Sequence, residues 1–399
     1  MATANTNISS AAEVSAPEPG SLLVSLTPLS AETFETTLAN LALAFPGQTV
    51  LVATPDSVPQ LSSGGPLRLL HYPPAAPSAS PWVLTAADYL NTFKLAEEHN
   101  ASACILLGSE SHSLQPEAIR ALATAVPATD LAVAYYNLGP REGLLNSAIL
   151  YPVTRARFCA SPRFPLSIDL GLSPRMAGRL AMSAQRLTGS GQNGDALLWP
   201  IAEAAIANYT ITEIDVGPRT FTQPSDDLNT ILTEIAGSLF SDVDTKAVFW
   251  QRARALQPFR KVAPGPISPA TMADIAPMLE TFHLAYTNLR DIWSLVLPPN
   301  SLLGLKRLSV MAAENFRMPD ALWARIIYDF ILAYRLRTIN RSHLLGALTP
   351  LYLAWVASHL ILVNSGTAPE THIQQLAATF ENDKPYLVSR WRWPDRFNP

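Results

Sequence analysis

Apolar runs and helical periodicity alternate along the first half of the chain. Short apolar runs at residues 21–25 and 50–53 flank residues 31–44, in which apolar side chains recur every three or four positions. Runs of four or five apolar residues are typical of buried strands, and the three-to-four spacing is typical of an amphipathic helix. Residues 21–53 therefore predict a β-α-β unit.

The same alternation continues to about residue 217. Further strands are predicted at 67–70, 104–107, 131–135 and 209–216, and further helices at 86–99, 175–187 and 196–208. Alternating strands and helices indicate an α/β fold, with a mostly parallel sheet and helices on both faces. From residue 229 the pattern predicts helices at 229–240, 244–255, 271–296, 319–340, 343–364 and 369–381, with a Pro-rich break at 258–269. We expect a disordered leader (1–20), an α/β domain (21–228) and an α-helical carboxyl-terminal domain (229–399).

Composition narrows the classes of ligand and compartment. The chain has 399 residues, a formal charge of −4 and 15% charged residues, which disfavours the broad basic face that nucleic acid requires. Two cysteines give neither a disulfide framework nor a zinc set, which favours a reducing, cytoplasmic setting. A small molecule is the expected partner.

One apolar stretch, residues 344–363, is long enough to span a bilayer. Pro350 and His359 lie within it, and helical patterns that need a partner lie on both sides. We favour a buried helix of a bundle, with membrane contact as the alternative.

The end of the strand predicted at 104–107 carries the first candidate chemistry. It is followed by Gly108, Ser109 and Glu110, and ligands of α/β sheets bind at the carboxyl ends of strands. Glu110 is therefore a candidate ligand contact, although a metal-bound diphosphate would favour two carboxylates.

Several local motifs have simpler interpretations. Residues 189–194 match the spacing G-x-G-x-x-G, but they follow a helix and not a strand, which argues against a dinucleotide-binding turn. Asp195 after them is interpreted as a helix cap or a ligand contact. No phosphate loop, H-E-x-x-H or G-x-S-x-G motif is present, and the seven histidines are interpreted as structural or exposed.

Two charged residues lie within or directly after apolar runs. Asp169 lies within one, and a buried carboxylate needs a cation, N–H groups or a ligand; an ion pair with Arg163 or Arg175 is the structural interpretation. Arg219 follows the strand predicted at 209–216. Asp227 is expected to cap the helix that begins at Leu228.

Three longer segments resemble one enzyme family. They are LLVSLTPLSAETFETTLANLALAFPGQTVLVAT, ILLGSESHSLQPEAI and FPLSIDLGLSPRM, and the likeness extends from about residue 21 to about residue 360. The chain resembles retaining glycosyltransferases of the GT-A fold, in particular mannosylglycerate synthase and glucosyl-3-phosphoglycerate synthase. The family's D-x-D metal motif matches Gly108-Ser109-Glu110, which keeps the last acidic residue.

The resemblance implies a function and a set of site residues. It implies transfer of a hexose from a nucleotide-sugar donor to a small hydroxylated acceptor, with retention, and a divalent cation (Mg²⁺ or Mn²⁺) at Glu110. The implied donor-binding residues are Thr27, Pro28, Glu110, Arg141 and Arg219, and the implied catalytic residues are Asp169 and Asp195. The alternatives are a catalytically inactive GT-A-like binding or interaction protein and a peripheral membrane protein acting on lipid-linked acceptors; homo-oligomer formation is left open.

Overall fold

A single seven-stranded sheet forms the centre of the amino-terminal half. The computed structural model describes residues 21–55, 66–73, 83–159, 162–189, 196–221, 227–252 and 275–394. The strands are β1 (Leu22–Leu26), β2 (Val50–Pro55), β3 (Leu67–Tyr72), β4 (Ala103–Leu107), β5 (Leu131–Tyr136), β6 (Asp169–Leu172) and β7 (Ile211–Gly217), in the order β3-β2-β1-β4-β6-β5-β7. All neighbouring pairs are parallel except those of β6, which runs antiparallel to β4 and β5.

Helices cover the sheet and then make up the second half. Those of the first half are α1 (Ala31–Ala44), α2 (Ala86–Glu98), α3 (Pro116–Ala125), α4 (Tyr151–Phe158), α5 (Pro174–Gly189) and α6 (Pro200–Ile206). Those of the second half are α7 (Leu228–Thr245), α8 (Ala247–Trp250), α9 (Ala276–Ser294), α10 (Pro299–Leu308), α11 (Asp320–Leu336), α12 (Arg341–Gly346), α13 (Thr349–Asn364) and α14 (Pro369–Arg392). The α1–α3 and α2–α5 pairs pack as separate layers against the sheet. The predicted fold class, α/β followed by an α-helical region, is confirmed.

The antiparallel strand β6 was not among the predicted strands, and it determines where the site lies. Because β6 runs against β4, its first residue, Asp169, lies opposite Leu107 at the carboxyl edge of β4. The backbone approaches closely here, since a Cβ atom on Gly108 would lie 2.8 Å from Cβ of Ile168. Glycine at position 108 therefore allows β6 to bring Asp169 to this edge.

The two halves share a continuous hydrophobic core. Helix α14 packs along α4 of the first half and along α11 of the second, and the largest buried cluster contains residues of both. The indole nitrogen of Trp323 in α11 donates to the carbonyl of Ala148 at 2.9 Å, before α4. The helical region is thus built onto the α/β layer and closes one side of it.

The apolar stretch of the sequence lies inside this helical region. Arg341–Asn364 is long and apolar enough to cross a membrane, with a mean hydropathy of 1.6, but 67% of its most apolar window is buried in the protein. Its position fits the interpretation as a buried helix of the bundle. The stretch is two helices, α12 and α13, because Pro350 lies at the start of α13, where its missing N–H costs nothing.

Several helix boundaries in the structure differ from the predicted ones. Helix α10 was not predicted, α6 is shorter than the predicted 196–208, and α14 extends to Arg392 with Pro385 inside it. Asp227 caps α7 as expected, accepting from the Thr230 amide at 2.9 Å. The leader (1–20), most of the 189–194 loop with Asp195, and the 258–269 break lie outside the described residues.

Candidate functional site

A buried ion pair closes the carboxyl edge of the sheet. Asp169 and Arg219 have no exposed side-chain surface, and two nitrogens of Arg219 donate to the two carboxylate oxygens at 2.9 and 3.2 Å. The hydroxyl group of Tyr136 and the amide of Gly108 also donate to Asp169, at 3.1 and 3.2 Å. The buried carboxylate is therefore fully compensated by protein groups.

Arg219 also holds the loop that follows β4. It donates to the carbonyl of Ser109 at 2.7 Å, to the carbonyl of Glu110, to the hydroxyl of Ser113 at 3.0 Å and to the carbonyl of Thr220 at 2.8 Å. All three guanidinium nitrogens are engaged, so a ligand would have to open the pair to reach either side chain. The geometry makes Arg219 a clamp on the Glu110 loop.

The structural interpretation of Asp169 as an ion-paired carboxylate named the wrong partners. Arg163 pairs with Glu370, and Arg175 pairs with Asp130. Asp130 lies at the opposite edge of the sheet, where β5 begins. The actual partner of Asp169, Arg219, lies fifty residues away in sequence, and only the sheet order brings the two together.

Glu110 meets a histidine that the sequence analysis left unassigned. Its backbone is left-handed, with φ of 59°, and Oε2 lies 3.5 Å from Nδ1 of His112. Both side chains are about 30% exposed, and Nδ1 of His112 is buried without a hydrogen-bond partner among the described residues. The contact places a carboxylate and an imidazole side by side on the loop that Arg219 holds.

The same pair also fits a substrate-bridged divalent cation. Such cations are bound by one or two side chains together with phosphate oxygens, and not by a complete protein cage. Within the described part of the chain, no group of three or more His, Cys, Asp or Glu side chains is placed to hold a metal. The unpartnered Nδ1 of His112 beside a Glu110 oxygen supplies two ligands, and a diphosphate would have to supply others.

The remaining predicted donor residues are dispersed. Thr27 follows β1 and is buried, and its hydroxyl has no hydrogen-bond partner among the described residues, while Pro28 is exposed. Arg141 is exposed in the loop after β5 and contacts neither Glu110 nor Arg219 in any described hydrogen bond or ion pair. Glu110, Asp169 and Arg219 come together, whereas no described hydrogen bond or ion pair joins Thr27, Pro28 or Arg141 to them.

A cavity of about 300 Å³ lies beside the ion pair, between the carboxyl ends of β5 and β7 and the helices α13 and α14. Tyr136 and Pro218 link it to the Asp169–Arg219 edge. Ligands of α/β proteins bind in such crevices. The polar residues that line its helical side are Ser147, Arg163, His359 and Glu370.

Arg163 lines this cavity and has one donor nitrogen without a described partner. Its Nε donates to Glu370 at 3.1 Å and its Nη2 to the hydroxyl of Ser147 at 2.8 Å, while the guanidinium packs over the rings of Tyr151 and Phe164. Its third nitrogen, Nη1, is buried and has no described partner. A buried cationic donor without an acceptor is costly, so this nitrogen favours an oxygen ligand.

His359 is the second unsatisfied group that lines the cavity. It is fully buried in α13, its Nδ1 lies 2.7 Å from Nδ1 of His372, and its Nε2 has no described partner. Burial, the His372 ring and Arg163 lower the pKa of His359 to about 3. His359 is therefore neutral near pH 7.

Sequence reasoning missed the role of this cavity. Arg163 appeared there only as a partner for Asp169, and His359 only as a polar interruption of an apolar helix. That interruption was the available signal, because a histidine in a buried helix needs partners. Its partner and the partner of Arg163 lie on α14, which the sequence could not place.

No protein-family model and no curated protein sequence matches the chain. Solved structures of Mycobacterium tuberculosis glucosyl-3-phosphoglycerate synthase are similar: the complex with Mn²⁺, UDP-glucose and phosphoglyceric acid has 13% identity and a TM-score of 0.35, over 56% of this chain and 79% of that one. The complex with Mn²⁺, UDP-glucose and glycerol 3-phosphate has 11% identity and a TM-score of 0.36, over the same shares. A likeness at this level is not evidence for an activity.

Proposed function

We propose that the protein is a glycosyltransferase that moves a hexose from a nucleotide-sugar donor to a small, hydroxylated, anionic acceptor, with retention of configuration. The observation that carries the proposal is the cavity at the carboxyl edge of the sheet, lined by Arg163 and His359, each of which has a buried nitrogen without a partner in the described part of the chain. The proposed reaction class comes from the sequence resemblance, and the cavity is the proposed acceptor site.

The acceptor site follows from what the cavity leaves unsatisfied. Nη1 of Arg163 favours a carboxylate or phosphate oxygen, and the uncharged Nε2 of His359 favours a hydroxyl group. A volume of about 300 Å³ suits a molecule of a few carbon atoms with room beside it for a hexose. The exposed Arg141 lies between Pro140 and Glu142, which both line the cavity, and would meet an approaching anion.

The donor is assigned to the edge formed by the ends of β1 and β4. The buried hydroxyl of Thr27 has no partner there among the residues that the structure describes, and Pro28 follows it directly. Glu110 and His112 would hold Mg²⁺ or Mn²⁺, which when bound would neutralise charge on the leaving diphosphate. Arg219 keeps the Glu110 loop in its left-handed conformation through the Ser109 and Glu110 carbonyls.

The assignment of Asp169 and Asp195 as catalytic residues belongs to the same proposal. Asp169 is closed off by Arg219 in this structure, so its contribution is to position Arg219 and, through it, the Glu110 loop. Asp195 lies outside the described residues and keeps its proposed role of orienting sugar or acceptor hydroxyl groups. We also propose a cytoplasmic location, because the two cysteines of the chain give no disulfide framework.

Calorimetric titrations test the acceptor site. Glycerol 3-phosphate and glycerate should bind the wild type, and Arg163→Gln should weaken binding about 10- to 100-fold, the range of a charge-assisted hydrogen bond of about 1.5–3 kcal/mol. Arg186→Gln, an exposed arginine of α5, is the matched control and should bind like the wild type. Equal affinity in both variants would refute the assignment of the acceptor to this cavity.

A transfer assay tests the reaction. UDP- and GDP-hexoses are incubated with these acceptors, with and without Mn²⁺, and the product and its anomeric configuration are read by NMR. Glu110→Gln and His112→Asn should each lower the Mn²⁺-dependent rate. If no donor gives heat or product under any condition, the glycosyltransferase proposal fails.

The closed Asp169–Arg219 pair favours a second candidate, a catalytically inactive protein of this fold that binds a ligand. Catalysis by the resembled glycosyltransferases would require acidic and basic side chains that the donor can reach. Here Asp169 and Arg219 are fully buried and paired with each other. This candidate predicts binding in the cavity that depends on Arg163, with no transfer and no effect of Glu110→Gln.

A further inference from the structure

Three titratable side chains form a chain whose last member, His359, is one of the residues that line the cavity. Oδ1 of Asp320, at the start of α11, lies 3.0 Å from Nε2 of His372 in α14. Nδ1 of His372 lies 2.7 Å from Nδ1 of His359 in α13. The last atom of the chain, Nε2 of His359, is buried and has no described hydrogen-bond partner.

When both imidazoles are uncharged, the contacts assign the protons of the chain. A carboxylate can only accept, so Nε2 of His372 must carry the proton of its bond to Asp320. In neutral His372 the other nitrogen is then an acceptor, and the proton between the two rings belongs to Nδ1 of His359. His359 is therefore left with a bare lone pair on Nε2, the nitrogen without a described partner.

The surroundings of the chain keep this arrangement in place. The rings of His359 and His372 are 5.0 Å apart and nearly parallel, and Trp355 lies parallel to His359 at 5.2 Å. Arg163 disfavours a positive charge on His359 itself. Asp320 is partly exposed and lies beside His372, so a positive charge is better placed on the second ring.

Resting on the proposed function, we infer that His359 is the base that accepts the proton of the acceptor's hydroxyl group, and that His372 and Asp320 are positioning residues that carry the resulting charge. The acceptor O–H bond breaks and its proton binds Nε2 of His359. The Nδ1 proton of His359 passes to Nδ1 of His372, whose imidazolium is stabilised by Asp320.

The group transfer balances around this proton. The acceptor oxygen forms a bond to the anomeric carbon on the face from which the diphosphate leaves, as retention requires, and the bond from that carbon to the diphosphate oxygen breaks, with its electron pair leaving on the nucleoside diphosphate. At the end of the step one proton more resides on the chain of His359, His372 and Asp320, which we call the relay. This proton is returned to solvent or to product before the next turnover. A base contributes about 10²- to 10⁴-fold to such a rate.

Imidazole ¹⁵N NMR of the histidine-labelled full chain reads the relay without any substrate. At pH 8, above the ordinary imidazole pKa of about 6.5, Nε2 of His359 should be unprotonated and Nε2 of His372 protonated. His359→Gln and His372→Asn assign the signals. A proton found on Nε2 of His359 at pH 8 would overturn the inference, because that nitrogen could not act as a base.

Kinetics then test the catalytic role. His359→Gln should lower kcat about 100-fold or more with KM changed less than about threefold, as expected for a base. Asp320→Asn should lower kcat about tenfold and shift the acidic limb of the pH profile. His343→Gln, an exposed histidine of α12, is the control and should behave like the wild type.

The outcomes separate this inference from the proposed function. Other titratable groups line the cavity and can also affect the pH dependence of kcat, namely Tyr135, Tyr136, Glu142, Arg163 and Glu370. The shift of the acidic limb must therefore occur in the relay variants and not in the control. Turnover by the wild type that persists in His359→Gln would reject the base alone. Absence of turnover by the wild type with every donor and acceptor would reject the proposed function and the base together.

Discussion

At the scale of single residues, the site is arranged around two buried cations that have different tasks. Arg219 uses all three nitrogens on protein acceptors, whereas Arg163 keeps Nη1 without a described partner beside a cavity. The first arrangement is that of a structural clamp and the second that of a ligand anchor. Exposure alone would not separate them, because both residues are buried; the hydrogen-bond partners do.

The clamp gives a prediction for stability. Asp169→Asn removes the charge that compensates Arg219, and breaking a buried pair costs about 3 kcal/mol in the free energy of unfolding. The exposed pair Lys94–Glu98 supplies the control, since Glu98→Gln should change that free energy by less than about 0.5 kcal/mol. Urea denaturation measures both. An Asp169→Asn variant as stable as the wild type would show that the ion pair is not a clamp.

At the scale of secondary-structure elements, β6 explains both the success and the limits of the sequence analysis. Short continuous apolar runs identified β1, β2, β4 and β5, and helical spacing identified α1, because these patterns are local in the sequence. Strand β6 has four residues, Asp169–Leu172, and includes Gly171, where a Cβ would lie 2.8 Å from a Val126 methyl group. A four-residue strand that contains Asp169 and Gly171 lacks the continuous apolar run that marks the other strands, and its direction follows from its neighbours.

The candidate site was predicted only in part for the same reason. Glu110, Asp169 and Arg219 could be selected because each lies where an apolar run ends or is interrupted. The pairing of Arg163 with Glu370 spans 207 residues, and that of His359 with His372 depends on how α13 packs against α14. Such contacts depend on tertiary packing and leave no mark on local spacing.

Asp130 joins three strand ends at the edge opposite the site. It accepts from the Thr210 amide at 2.8 Å before β7, from the Ser173 hydroxyl at 3.1 Å after β6, and from Arg175. Burial would raise the pKa of Asp130, but the hydrogen bonds from Arg175, Thr210 and Ser173 outweigh it and hold the pKa at about 2. The carboxylate therefore stabilises the folded sheet only while it is charged.

The charged Asp130 carboxylate predicts that the protein loses stability in acid. Because the folded pKa lies below the unfolded value of about 3.9, the contribution is complete above about pH 5 and disappears as the pH falls through 4 towards 2. Asp130→Asn should lower the free energy of unfolding by about 2 kcal/mol at pH 7, with a difference from the wild type that shrinks towards pH 2. Urea denaturation at several pH values measures it; a difference independent of pH would contradict the assigned ionisation.

At the scale of the whole molecule, the helical half completes the site of the α/β half. Helices α13 and α14 supply His359 and Glu370 to a cavity whose other wall is the carboxyl edge of β5. The continuous core and the packing of α14 on α4 hold the two walls in register. The cavity is therefore a property of the complete chain, and neither half would form it alone.

The most direct test of this account is a crystal structure of the full chain soaked with glycerol 3-phosphate. The account predicts electron density in the cavity, with an anionic oxygen within hydrogen-bond distance of Nη1 of Arg163 and a hydroxyl group facing Nε2 of His359. An empty cavity at a saturating concentration, or the anion bound elsewhere on the protein, would contradict it.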